Sequence, residues 1–310
     1  MKRTRIIALY TFLELILIFF MALSYHLAQP MLSSNVIFLP KGGVNEIITH
    51  LSRNHFQVTR VDGWVIRAMG YPQSGWIDIH ANLLSRGDFL YRLTKAKAAM
   101  KEATLIPGET LHFFILDLAQ NFSLSPLKLK EAYHRYAPHP EGVILADTYK
   151  IPLGISEEHL MYYLVNHSLR EHQKLSKKIL GVYDEVQWFK YITIASIIQK
   201  EAANIEEMPL VSAVIRNRLK KRMRLQMDGT LNYGEFSRTK VTPEMIRQDS
   251  SPYNTYKIEG IPPYPVGSVG FDAIKAAIFP ADVDYLYFVR NKKGTHTFTN
   301  NYETHLKNIK

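Results

Sequence analysis

The stretch VQWFKYITIASIIQKEAANI (186–205) decides how this chain is read. Ile194, Ile197 and Ile198 recur at helical spacing, and Glu201 follows them seven, four and three positions on. On a helix those residues share a face, so the carboxyl of Glu201 emerges at the edge of an apolar stripe. Burial there disfavours the carboxylate and raises its pKa, as a general acid working near neutral pH requires. The plainer alternative is a surface glutamate in a final helical turn. It would pair with Lys200 or with a basic residue of the next helix, PLVSAVIRNRLKKRMRLQ (209–226), which Pro209 opens.

Beyond that helix the texture becomes loop-like and polar. Gln226, Asp228, Thr230, Asn232 and Tyr233 fall in one loop; Ser251, Tyr253, Asn254, Thr255 and Tyr256 fall in another. Amides and hydroxyls can satisfy sugar hydroxyl and N-acetyl groups, and tyrosine rings can stack on pyranose faces. The same residue types also cap turns with no ligand involved. Arg216, Arg218, Lys220, Lys221, Arg222 and Arg224 form a basic run with no acid among them. Most of it reads as a solvated face, but Arg218 lies one turn beyond Val214 and Ile215 and is expected to reach inward, toward Glu201 or Asp228. No histidine spacing matches a metal site. His296, beside the last turn, reads as a structural residue.

Upstream, VIFLPKGGVNEIITHLSRNHF (36–56) and ATLIPGETLHFFILDLAQNFSL (103–124) repeat one plan: strand, Pro-Gly turn, amphipathic helix. Neither is a phosphate loop, because no Gly-x-x-x-x-Gly-Lys-Ser/Thr follows the strand. A helix is expected over Ser125–Tyr136, an extended segment over EGVILADTYKIPLG (141–154), and a helix capped by Ser156. A helix at Phe271–Ile278 and a hairpin of Tyr285–Val289 with Thr295–Thr299 close the chain. The fold class is α+β: a small mixed module, then a mainly helical lobe with a short sheet.

At the N-terminus, IIALYTFLELILIFFMALSYHL (6–27) is almost wholly apolar and spans about 33 Å as a helix, enough to cross a hydrocarbon core. Lys2, Arg3 and Arg5 precede it, so the tail 1–5 is expected in the cytoplasm and everything after residue 28 outside. A cleaved signal peptide and a buried helix are the alternatives; the apolar core is long for the former, and Ser24-Tyr25-His26 is a poor cleavage context. With 46% hydrophobic and 21% charged residues the remainder is expected to fold as globular domains. The absence of cysteine excludes disulfides and thiolate chemistry. A net charge of +10 suits an anionic polymer or lipid surface, and export makes nucleic acid an unexpected partner.

The pieces IASIIQKEA (194–202), VIRNRLKKRMRLQMDGTLNYG (214–234), SPYNTY (251–256), GIPPYPVGSVG (260–270), LYFV (286–289) and GTHTF (294–298) appear in that order, with EGVILADTY (141–149) upstream. Together they resemble the membrane-anchored endolytic murein transglycosylases, the YceG-like family. The resemblance implies that Glu201 is the catalytic acid, then base, in cleaving the MurNAc–GlcNAc bond within nascent peptidoglycan strands. It implies that Gln226, Asp228, Thr230, Tyr233, Ser251, Tyr253, Asn254 and Thr255, with Arg218, shape the glycan groove, with no metal or other cofactor. It further implies a single-pass protein of the bacterial inner membrane, catalytic in the periplasm and near peptidoglycan synthases. Residues 28–120 are expected to form a LysM-like glycan-binding module, for which PGETL (107–111) is similar to the LysM opening, and residues 121–310 the catalytic domain. Gly229, Ala146 and Tyr264 depart from the family's usual proline, proline and glycine, which bears on loop shape. A hydrolytic muramidase and a non-catalytic glycan-binding scaffold are the alternatives.

Overall fold

The computed structural model describes residues 2–309. The chain forms two compact units. The first runs through Lys101 and takes back Lys150–Gly154; the second holds Glu102–Tyr149 and the chain from Ile155 onward.

The first unit begins with one helix, Lys2–Ala28. Its Arg3–Ala28 stretch lies outside the core and is long and apolar enough to cross a membrane. The helix starts earlier than the apolar run alone suggested, because nothing before Ile6 breaks it. Its last turn is fixed to the rest of the unit. His26 Nε2 lies 2.9 Å from Asp62 Oδ1, and Leu27 packs against the core. Next comes a β-α-α-β run: Val36–Leu39, Val44–Arg53, Arg60–Met69 and Gly75–Asp78. The two strands pair antiparallel, Val36 opposite Asp78. Helix Val44–Arg53 buries Val44, Ile47 and Leu51, and Ile48 packs at the edge. A second strand pair, Pro30–Leu32 with Leu83–Ser85, and the helix Arg86–Lys95 complete the unit.

Asp62 is the polar centre of this unit, with no exposed surface. It receives Arg86 Nη1 at 2.8 Å, and its Oδ2 accepts the Thr59 backbone N–H at 2.7 Å in the capping box of helix Arg60–Met69. Asp62→Asn keeps the shape and removes the charge that Arg86 faces. We expect a loss of ~2 kcal/mol, the size of a hydrogen bond to a charged partner. It is read as a lower denaturant midpoint for the full chain in detergent, and an unchanged midpoint would refute it.

The same β-α-α-β order recurs in Met100–Thr104, Leu111–Phe122, Pro126–Tyr136 and Thr148–Pro152. The division between units falls at Lys101/Glu102. The cause is the helix Leu111–Phe122, which buries Leu111, Phe114, Ile115 and Leu118 and packs on Pro126–Tyr136 and the short turn Gly234–Phe236. It therefore belongs to the larger unit.

That unit is built on the helices Glu157–Leu180, Glu185–Glu201, Met208–Lys220 and Phe271–Ile278. The second of these is its axis, with Trp188, Ile192, Ala195, Ile197 and Ile198 wholly buried. Trp188 Nε1 donates to His172 Nδ1 at 3.0 Å, which leaves Nε2 to carry the proton and donate to the Val143 carbonyl, also at 3.0 Å. Burial holds this histidine down at about 4, so it stays neutral. The closing hairpin pairs Tyr287–Arg290 with His296–Thr299 antiparallel, close to the expected strands. A last helix, Tyr302–Asn308, follows it.

Candidate active site

Asp184 starts the axial helix by accepting the Gln187 N–H at 2.8 Å, and Ala202 leaves it in extended conformation. Three successive side chains fan out from its final turn. Gln199 Oε1 accepts from Gly270 N at 3.1 Å, Lys200 Nζ donates to Ser237 Oγ at 3.0 Å, and Glu201 Oε1 accepts from Gly229 N at 2.6 Å. Glu201 is partly buried, as the apolar stripe requires, though Ile194 keeps some exposure while Ile197 and Ile198 have none. Burial pushes the Glu201 carboxyl up to about 7; the Gly229 amide opposes this, and the charge of Asp228 reinforces it. Gly229 is required for the approach: a Cβ there would lie 2.8 Å from Glu201 Oε1 and 2.8 Å from Lys200 Cβ.

The two polar loops meet beside this carboxyl, but their residues divide into two groups. Thr230, Asn254 and Thr255 have no exposed surface. Thr230 Oγ1 donates to Met227 O at 2.7 Å and sits 3.0 Å from Thr255 Oγ1, which accepts Met227 N at 3.1 Å. Asn254 Nδ2 donates to the Ile246 and Asp249 carbonyls at 2.8 Å each. Expected as groove residues, Thr230 and Thr255 tie one loop to the other, and Asn254 holds the turn of its own loop. Their groups serve the backbone because irregular buried chain must satisfy its polar atoms. Ser251 Oγ, partly buried, accepts Tyr253 N at 3.2 Å and shapes its own turn. Arg218 does reach inward, but its hydrogen bonds go to carbonyls: Nε to Leu286 at 2.7 Å and Nη1 to Leu225 at 2.7 Å, with the guanidinium over the Tyr287 ring. It ties helix, loop and hairpin together rather than meeting Glu201 or Asp228.

The second group remains open. Asp228 is exposed and accepts from Tyr256 OH at 2.6 Å. Tyr233 and Tyr253 stack at 4.4 Å with 14° between their planes, and Tyr233 OH donates to Asp249 Oδ2 at 3.2 Å. Gln226 is exposed in the left-handed region, φ +50°, with its backbone N–H held by Thr255 O. Glu201, Asp228 and Tyr256 thus form one polar cluster, and Gln226 and the tyrosine pair stand on the same two loops.

Two acids carry more weight than their sequence context indicated. Glu141 Oε2 accepts Leu111 N at 2.9 Å and Oε1 accepts Gly142 N at 3.0 Å. Burial pushes its carboxyl up to about 7 against the pull of those amides and of Lys200. Gly142 holds it there at φ +75°, where a Cβ would lie 2.5 Å from Pro265 Cγ. Glu207 lies six residues beyond Glu201 and takes both His296 N, at 2.6 Å, and His296 Nδ1, at 2.7 Å. His296 is thereby held against the turn that follows Glu201.

The sequence model of the YceG-like family matches residues 38–310. An endolytic murein transglycosylase of Bacillus subtilis is 30% identical over 184 residues, 57% of this chain and 49% of that protein. One from Streptococcus pneumoniae is 30% identical over 260 residues, 79% of this chain and 44% of that protein. The chain therefore spans about half the length of these curated relatives. The crystal structure of a yceG-like protein from Listeria monocytogenes has the same fold, with a TM-score of 0.58 at 24% identity over 91% of this chain and 100% of that one.

Proposed function

Because this chain belongs to the YceG-like family, we propose that it is an endolytic lytic transglycosylase acting on peptidoglycan, with Glu201 as its acid and base. The observation that carries the reading is the Glu201 carboxyl, partly buried at the end of an apolar helix, raised to about 7, and set beside Asp228 and Tyr256. Protonated Glu201 gives its proton to the oxygen bridging N-acetylmuramic acid and N-acetylglucosamine, and the bond breaks through an oxocarbenium-like state. The carboxylate then takes the proton of the muramoyl 6-hydroxyl, whose oxygen closes on C1. The products are a free 4-hydroxyl and a 1,6-anhydro end, with no water consumed. Asp228, fixed by Tyr256, keeps negative charge near the cleaved bond and favours protonated Glu201. Tyr233, Tyr253 and Gln226 line the groove; Thr230, Asn254, Thr255, Ser251 and Arg218 hold it in shape.

The β-α-α-β run at 36–78 supports reading the first unit as a LysM-like glycan-binding module, and the run at 100–152 repeats its plan. The apolar helix, preceded by basic residues, anchors the protein once in the inner membrane with the chain after it on the periplasmic side. There it can meet strands as synthases release them. Since only protonated Glu201 starts the reaction, kcat/KM on defined uncrosslinked strands should fall about tenfold per pH unit once pH exceeds about 7. A flat profile from pH 6 to 9 would count against Glu201 as the acid.

A further inference from the structure

The larger unit holds a cavity of 580 Å³ that the reaction above leaves unused. It opens beside Tyr233, one ring of the stacked pair, so it adjoins the groove. Glu141 also lines it, and the charge of Glu141 reaches both Tyr253 and Lys200, the residue before Glu201. Three large apolar side chains line it while remaining exposed: Leu116, Leu127 and Phe236. Lys130 and His134, one turn apart on helix Pro126–Tyr136, stand on its wall. Thr110 Oγ1 donates to Gly234 O at 2.8 Å, which fixes the 233–236 turn against the helix that forms the other wall.

This composition does not suit a sugar. A pyranose carries hydroxyls round its rim and offers apolar C–H faces to flat aromatic rings, whereas branched leucines leave the rim hydroxyls unpaired. It suits a short peptide that carries methyl groups, carboxylates and amides together. Leu116, Leu127 and Phe236 would cover the aliphatic parts, Lys130 and His134 would face the carboxylates, and Glu141 would take an N–H with the lone pairs its two backbone amides leave free.

We infer that this cavity receives the acidic peptide branch borne by the muramic acid residue, so that the protein reads the peptide as well as the glycan. The inference rests on the reaction proposed above. It places a specificity element next to the catalytic carboxyl.

Two measurements on the full chain in detergent separate the inference from that reaction. The first is binding of a synthetic N-acetylmuramoyl tetrapeptide, followed by calorimetry. Lys130→Glu combined with Leu127→Ser changes only exposed positions, and should weaken that binding about tenfold, the effect of one charge reversal plus one lost apolar contact. The second is kcat/KM on strands with intact peptides and on strands stripped by an amidase. The double variant should raise KM on intact strands by about the same tenfold and leave stripped strands unchanged. Equal binding by wild type and variant, or equal slowing on both kinds of strand, overturns the inference. Absence of cleavage by the wild type with peptide binding still sensitive to the variant would keep the cavity assignment and dismiss the reaction.

Discussion

Glu201→Gln is expected to lower kcat for strand cleavage about a thousandfold, because one group serves as acid in the first step and base in the second. Glutamine is nearly isosteric and keeps an oxygen for the Gly229 amide, so the loop stays in place and strand binding persists. Stability gives an independent check with a definite sign. The folded carboxyl titrates at about 7, above its unfolded value near 4.5, so the stability tied to its proton is whole below 4.5 and is lost as pH rises through 7. Glutamine cannot lose that proton. The variant should match wild type in denaturant midpoint at pH 4.5 and exceed it at pH 8. A variant that still cleaves at the wild-type rate removes Glu201 from the chemistry.

Glu207→Ala should cost about 1–3 kcal/mol, because it leaves the His296 and Ala203 amides and His296 Nδ1 without their acceptor. Glu207 is 6% exposed, and its oxygens gather His296 N and Nδ1 and, at 3.2 Å, Ala203 N. It thereby joins the hairpin to the turn immediately after Glu201. Burial alone would raise this carboxyl, but His296 and the two amides outweigh it and hold it below the ordinary carboxylate range. With a depressed pKa, the stabilisation is present above about 4.5 and disappears as pH falls through the folded value. The gap between wild type and variant in denaturant midpoint should therefore be wide at neutral pH and narrow on acidification. An equal midpoint at pH 7 would contradict it. Cleavage should also fall, since the turn that aims Glu201 loses its brace.

The parts of this molecule legible in the sequence are those fixed by local pattern. The stripe of Ile197 and Ile198 located Glu201, helix Phe271–Ile278 has the bounds its periodicity gave, and the repeated strand–turn–helix plan emerged as two β-α-α-β runs. What escaped depends on partners far along the chain. Glu141 acquires its setting from the Leu111 amide 30 positions away, and Glu207 from His296, 89 positions on. Thr230, Asn254 and Thr255 were expected to face a ligand because hydroxyls and amides suit sugars. Those same groups suit backbone carbonyls, and residue type does not say which side of a loop will be buried. Arg218 followed its helical position inward and found carbonyls there in place of carboxylates. Helix Leu111–Phe122 joins the larger unit because it packs on Pro126–Tyr136 and on the Gly234–Phe236 turn, the second of them more than 110 positions away.

The most direct test is mass spectrometry of the fragments that the wild-type protein releases from a defined glycan strand of known length. Internal cuts bearing 1,6-anhydromuramoyl termini are the predicted result, two hydrogens and one oxygen lighter than the hydrolysed equivalent. Fragments with reducing muramic acid ends would mean that water attacks, and intact strands would mean that the carboxyl of Glu201 is not catalytic on this polymer.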